Sequence, residues 1–468
     1  MNIYRLAWRN LVRNRKRSIL TAAAVTVGAA SIVLFGGYVA ANIKGLQTVT
    51  VRQVGHLQIS ARGYADFGRA DPGDYAVDQQ QQLVAMLKAD PQIGPLIAQT
   101  SAQVQLQGIA GNYEQGVSSP FLGLGVEPAE RAAMLRWDGL HTGIPAGVSG
   151  LKPGADDAGV IGVGLAQMLT LCDELHITAC KRRDLPQAAA AATDATDTTF
   201  DPSLAALAKA VRPVAVAASE HPAIEVLTAS ANGAPNVLRL DLLKSERQPV
   251  KELDAAYLAM PLKFAQRLIF GAGQSKVTGI VVQLRDTADL AEAHQLIQAR
   301  LAHWPQALEI SDFHELSPVY DQVDSMLRSF FNFIAGLMVT VTFFSIVNTI
   351  NMAINERVGE IGTLRALGFE RSFVLRMFMI EGSTLGFVGA LIGTVSATLI
   401  AEYGINLAGL RWTPPGRSVA VPVTIDVFGS PWLIAGSVVA LTLVACLSSL
   451  GPARRAARLE VVEALRHA

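Results

Sequence analysis

The chain has 468 residues, half of them hydrophobic, with 39 basic and 39 acidic side chains and a formal net charge of zero. That length is too great for a single core, so two or three domains are expected. The positive mean hydropathy excludes an ordinary soluble enzyme and points to a membrane protein; no nucleic-acid partner is expected.

In chain order, residues 1–18 read as a basic helix carrying Arg5, Arg9, Arg13, Arg15, Lys16 and Arg17 with no acidic residue. Residues 19–41 follow as a first span, since about 20 apolar residues cross a bilayer core. Val39-Ala40-Ala41 resembles a signal-peptide cleavage site. The basic lead is long for such a leader and the apolar run exceeds its usual length, so an uncleaved anchor is expected.

Residues 42–328 form a large polar region. Val54 to Ala61 alternates like a half-buried strand, Val77 to Lys88 suits a helix, and Ala98 to Ile109 and Gly116 to Val126 are strand-like. The region closes with a strand at Lys276 to Leu284, a helix at Thr287 to His303 and a strand at Leu308 to Ser311. A helix from Phe313 to Leu327 then runs straight into the second span. These two ends, 42–137 and 274–328, predict one mixed α/β part, with 138–273 as a β-rich inserted lobe. Inside the lobe, Ile161 to Leu171 suggests a helix, Pro186 to Pro202 a low-complexity loop, and Val211 to Leu243 strands.

Cys172 and Cys180 flank DELHITA, a short strand and turn. An oxidising compartment permits a disulfide between them, with two free thiols as the alternative; the disulfide is preferred. No Cys/His set has zinc spacing, and no catalytic motif is present. GAGQSK at Gly271 to Lys276 lacks the spacing of a phosphate loop and reads as a turn. No catalytic, metal or cofactor residues are therefore assigned, and any ATP is expected on a separate subunit.

Three more spans follow, at 329–354, 373–401 and 427–451, separated by a charged segment at 355–372 and a loop at 402–426. Residues 452–468 form a basic tail. In Glu356 to Phe369, Val358, Ile361, Leu364 and Leu367 recur every third position, making an amphipathic helix, with Arg357 and Glu360 placed to pair and Gly368 suited to its end. Gly382, Gly386, Gly389 and Gly393 form a close-packing face. Gly36 and Gly37, with Ala29 and Ala40, are expected at a dimer interface. Glu381 is expected to pair with Arg376, and Asn348 and Asn351 to bond between helices. Basic residues concentrate before the first span, in the 355–375 segment and in the tail, which puts both termini and that segment in the cytoplasm and 42–328 outside.

Met352 to Gly382 (MAINERVGEIGTLRALGFERSFVLRMFMIEG) closely resembles the signature of ABC permeases of the FtsX, MacB and LolC/LolE type. AWRNLVRNRKRSILTAAAVTVG at the front, GHLQI at Gly55 to Ile59 and PARRAARLEVVEALRHA at the tail resemble it too. The resemblance covers the N-terminal segment, all four spans and much of the α/β part; residues 138–273 match weakly. It implies a multi-pass protein of the bacterial inner membrane with a periplasmic domain. The charged helix would be a coupling helix docking on a cytoplasmic ATPase dimer, using Glu356, Arg357, Gly359, Glu360, Ile361, Leu364, Arg365, Ala366, Leu367 and Gly368. ATP and Mg would sit on that partner. A second permease copy or a paralogue would complete the membrane part. The cargo would be a lipoprotein or lipid moved by mechanotransmission, with a periplasmic adaptor or chaperone as a further partner. Peptide or drug efflux and control of a cell-wall hydrolase are the alternatives; an independent enzyme is not expected.

Overall fold

A computed structural model describes residues 9, 13, 15–68, 70–178, 180, 221–248, 250–413 and 420–459. The elements, in order, are α1 (Arg15–Val54), β1 (Leu57–Ala61), α2 (Gln80–Ala89), β2 (Ile97–Asn112), β3 (Val117–Val126), α3 (Pro128–Leu135), β4 (Ala158–Gly162) and α4 (Val163–Met168). There follow β5 (Ala223–Ala229), β6 (Pro235–Glu246), β7 (Tyr257–Pro261), α5 (Leu262–Ile269), β8 (Gly279–Leu284), α6 (Leu290–Leu301), β9 (Leu308–Asp312), α7 (Pro318–Glu356), α8 (Val358–Ala366), α9 (Arg371–Leu399) and α10 (Pro431–Ala457). The chain divides into two compact units, one holding Met1–Gln47, Pro318–Trp412 and Val421–Ala468, the other Thr48–Ser317 and Thr413–Ala420.

Among the described residues four helices are long and apolar enough to cross a membrane: α1, which belongs to the first unit up to Gln47, and, within that unit, α7, α9 (with its continuation to Asn406) and α10. At about 1.5 Å per residue, the 40 residues of α1 and the 39 of α7 each span nearly twice a hydrocarbon core of about 30 Å. Both outrun the spans read from hydropathy, because polar residues continue a helix that apolar ones begin. Close packing comes from the glycines of α9. A β-carbon at Gly382 or Gly386 would run into Ser449 or Ala445 of α10. One at Gly389 would lie 2.8 Å from Val25 Cβ, and one at Gly393 2.7 Å from Ala29 Cβ, both on α1. The glycine row thus serves two neighbouring helices rather than one.

Gly36 faces Leu433 and Phe331, and Gly37 faces Ile425. Ala29 is fully buried. These small residues pack within the chain, which removes them from the expected dimer interface. Asn348 lies exposed on α7. The bond in that region joins Thr21 to Thr349 instead, hydroxyl to hydroxyl at 2.5 Å.

The second unit is built on a nine-stranded sheet, ordered β3-β7-β4-β6-β5-β2-β8-β1-β9. Because β2 also pairs with β3, the strands from β3 round to β2 close into a ring, and β8, β1 and β9 extend from it. The 16 residues of β2 make this possible: Ile97–Gln103 pair with β8, whereas Ile109–Gly111 pair with β5. Residues 138–273, expected as an inserted lobe, contribute β4 to β7 to the same sheet as the flanking ends. One apolar cluster accordingly runs from Leu57 and Leu83 through Val104 and Phe121 to Ile161 and Leu258.

Three local expectations differ. β1 is buried at all five positions, not on one face: Leu57 and Ile59 lie in the main apolar cluster, and Gln58 and Ser60, which alternate to the other face, are buried as well. Residues 161–171 begin as the end of β4 and only then turn into the six-residue α4. The expected helix from Phe313 into the second span is interrupted at Ser317 (φ −132°, ψ 74°). The following Pro318 disfavours helical backbone at the residue before it, so a single turn capped by the Asp312 carboxylate ends there and α7 starts anew. The low-complexity loop at 186–202 and the first strand residues expected from 211 lie outside the described residues.

Candidate functional site

The charged segment between the second and third spans has a defined shape. α7 ends at Glu356, Arg357 leaves helical geometry at φ −119°, and α8 runs for nine residues to Ala366. Gly368, at φ +88°, closes it. The Gly368 N–H donates to Arg365 C=O at 3.1 Å and the Phe369 N–H to Leu364 C=O at 3.2 Å. That pair of bonds is a Schellman cap, which a residue with a side chain would strain.

Ion pairs fix the segment from both ends. Arg17 grips the Glu356 carboxylate through both guanidinium nitrogens. Arg13 Nη2 donates to Glu360 Oε1 at 2.6 Å. Arg357 Nη1 reaches Glu381 Oε2 at 3.4 Å, with side chains 2% and 5% exposed. The pairs expected from local spacing, Arg357 with Glu360 and Glu381 with Arg376, are replaced by these longer-range ones. A buried carboxylate needs a buried cation, and the turn at Arg357 delivers one. The Arg13–Glu360 pair is solvated at both partners and contributes at most about 1 kcal/mol. Arg13 and Arg17 were legible only as part of a basic lead; nothing local linked them to acids more than 300 positions away.

α8 thereby has an inner and an outer side. Ile361 is buried in the apolar cluster with Ile354, Val374 and Phe378, and Gly362 is buried beside it. Val358, Gly359, Leu364 and Arg365 are half-buried. Arg365 Nη1 donates to the Phe369 carbonyl at 3.1 Å, so it braces the helix end. Glu356, Glu360, Ala366, Leu367 and Gly368 are exposed, Leu367 to 77%. The result is a rigid knob with an apolar tip and an acidic flank. At the other end of the bundle, Lys44 pairs with Asp426 at 2.5 Å, so the basic start of α1 and the knob share one end.

Elsewhere, Cys172 and Cys180 are joined as a disulfide, Cα to Cα 5.8 Å. The described residues between them form turns, not the expected strand and turn. Among the described residues no group of three or more His, Cys, Asp or Glu is placed to hold a metal.

Residues 332–461, which contain the knob and its flanking spans, match the model described as FtsX-like permease C-terminal. The chain carries an FtsX-like permease region. Related ABC permeases include the lipoprotein-releasing system transmembrane protein LolE of Haemophilus influenzae, 28% identical over 49% of this chain and 53% of that protein. The ABC transporter permease YtrF of Bacillus subtilis is 33% identical over 29% and 31%. The macrolide export ATP-binding/permease protein MacB of Rhodopirellula baltica is 32% identical over 34% and 21%. The chain thus spans about half or less of the length of these relatives. The periplasmic region of MacB from Actinobacillus actinomycetemcomitans superposes over 58% of this chain and 95% of that one, at 10% identity and a TM-score of 0.30. At that score the fold rests on the strands and helices described above.

Proposed function

We propose that the chain is the permease subunit of an ATP-driven transporter that extracts or moves a lipoprotein or lipid at the outer face of the inner membrane. The observation that carries this reading is the knob of α8: capped, braced by ion pairs, apolar at its tip and continuous through one turn with a 39-residue helix. A cytoplasmic ATPase dimer, holding ATP and Mg, docks on Leu367 and the acidic flank. Its closure pushes α8, and α7 and α1 transmit the displacement across the bilayer to the periplasmic side. A second permease, identical or paralogous, completes the membrane part. Basic residues at the start of α1 and around α8 support a cytoplasmic location for that end and for both termini.

Co-purification from native membranes tests it. The ATPase should accompany the wild-type chain and be lost with Leu367→Asp, which places a charge in the apolar contact without touching the cap or the ion pairs. Retained ATPase and undiminished ATP turnover, in that variant and in Glu360→Lys with Arg365→Glu, would overturn the coupling role. Mass spectrometry of the same preparation should find lipid-modified protein. Recovery of a periplasmic adaptor and outer-membrane channel would favour efflux, and recovery of a cell-wall hydrolase would favour signalling.

A further inference from the structure

The segment joining α9 to α10 has a surface unlike that of a loop in water. Tyr403, Leu407, Leu410, Trp412, Phe428 and Trp432 are all more than half exposed. Among the described residues from 400 to 432 the exposed charge is Arg411 alone; Glu402 and Asp426 are half-buried, and Asp426 pairs with Lys44. The backbone that carries these side chains is fixed. Asn406 bonds the main chain of Ile425 in both directions, at 3.0 and 2.9 Å, and Arg411–Trp412 pairs with Val421–Pro422. Ile425 and Val427 are buried with Val33 and Ala397. The apolar side chains are thus held outward by an ordered segment, and a soluble surface rarely gathers so many.

Continuity with the spans identifies what covers them. Trp432 heads an exposed stripe with Val439, Leu443 and Leu447, one face of α10. On α9, Phe387, Leu391, Val395 and Leu399 are exposed at intervals of four, and Tyr403 and Leu407 extend the row. A π-helical turn, Ile400–Asn406, widens the helix there and offsets the drift that a spacing of four builds up at 3.6 residues per turn. The exposed face of the segment therefore prolongs the lipid-facing sides of two spans.

Depth agrees. A β-carbon at Gly36 would lie 2.9 Å from Leu433 and 3.0 Å from Phe331, which puts these three helices at one level, beside Trp432. About 20 residues inward, the thickness of a hydrocarbon core, lie Lys16, Asn351 and Pro452, where the charges Arg17 and Arg454 begin. Trp432 accordingly marks the opposite boundary, where tryptophan and tyrosine concentrate. The long stem of an arginine reaches the phosphate layer from that depth.

We propose that the segment from Tyr403 to Trp432 is a membrane-interface anchor, with its exposed aromatic and leucine side chains seated in the headgroup–acyl boundary of the leaflet away from α8. The first turns of α7, Pro318 to Arg328, about 16 Å of helix with the Asp324–Arg328 ion pair, then stand beyond the bilayer. The anchor depends on neither the cargo nor the docking of an ATPase.

Spin labels on single cysteines test it, in the full chain with Cys446→Ala, in nanodiscs of phosphatidylcholine and phosphatidylglycerol. Relaxation by oxygen, which dissolves in lipid, and by a nickel chelate, which stays in water, reports depth. Labels at Leu407→Cys and Phe428→Cys should lie about 5–10 Å below the phosphates. Leu443→Cys, three turns inward from Trp432, should lie about 16 Å deeper, and Tyr113→Cys, exposed in the second unit, should be in water. Thermal unfolding checks each variant, and Tyr403→Cys or Trp412→Cys replaces one that fails to fold. Nickel access at 407 and 428 equal to that at 113 would overturn the proposal. So would a depth equal to that of 443, or exclusion of both reagents, which would mean that protein, a second copy included, covers the segment.

Discussion

His56 is fully enclosed, with Trp137 edge-on at 4.9 Å between ring centroids. Its Nδ1 accepts the Leu284 N–H at 3.0 Å, so the ring proton sits on Nε2, which donates to Thr287 Oγ1 at 2.9 Å. Burial pushes its pKa down to about 4, against a smaller opposing pull from Asp286. The folded state therefore binds this proton less readily than the unfolded chain. Stability from this residue is complete above about pH 6.5 and lost as the pH falls towards 4, by about 3 kcal/mol in all. The unfolding midpoint of the purified chain should drop over that window, and the drop should shrink in His56→Gln. A second residue-scale test concerns the Arg357–Glu381 pair. Arg357→Ala leaves a buried carboxylate unpartnered and should cost about 3–5 kcal/mol, whereas Arg357→Met with Glu381→Met should recover most of it. Denaturation in detergent of the two variants separates these outcomes; equal losses would mean that packing, not charge, holds the turn.

Among the elements, the membrane helices show what a one-dimensional pattern carries. Apolar runs located all four, and the spacing of Gly382, Gly386, Gly389 and Gly393 marked α9 as a close-packing helix. That the row splits between α10 and α1 was not legible, because a spacing of three or four drifts around the helix and names no neighbour. Gly389→Val should destabilise by about 1–3 kcal/mol through overpacking against Val25 and the Ala22 carbonyl. Gly451→Ala, where nothing lies within 4 Å, should be near neutral in the same thermal-unfolding assay. The strands tell a similar story. β1 stood out by alternation and β2 and β3 were strand-like, yet the place of β1 between β8 and β9 is set by strands more than 200 residues later. The knob of α8 was legible as a charged helix with a glycine end. Its braces were not: Arg13 and Arg17 became part of the site only when folding brought the start of α1 beside it.

At the scale of the molecule, α7 is the least covered by its own chain of the four membrane-length helices among the described residues. Phe330, Phe333, Leu337, Val341 and Phe344 are exposed at intervals of three and four, one stripe along the helix, and Asn348 continues it, also exposed. Lipid tails satisfy the apolar positions and cannot hydrogen-bond the amide, whereas a facing helix can do both. On the proposed reading, that helix belongs to a second permease. Asn348→Cys in native membranes should therefore give an oxidant-dependent cross-link that doubles the apparent mass, or joins the chain to a paralogue. Leu443→Cys, on an exposed face of α10 with no polar residue to satisfy, should give little. Cross-linking of both positions to a similar extent would point to random collision. Its absence at 348 would leave the amide facing lipid and the transporter built on another face.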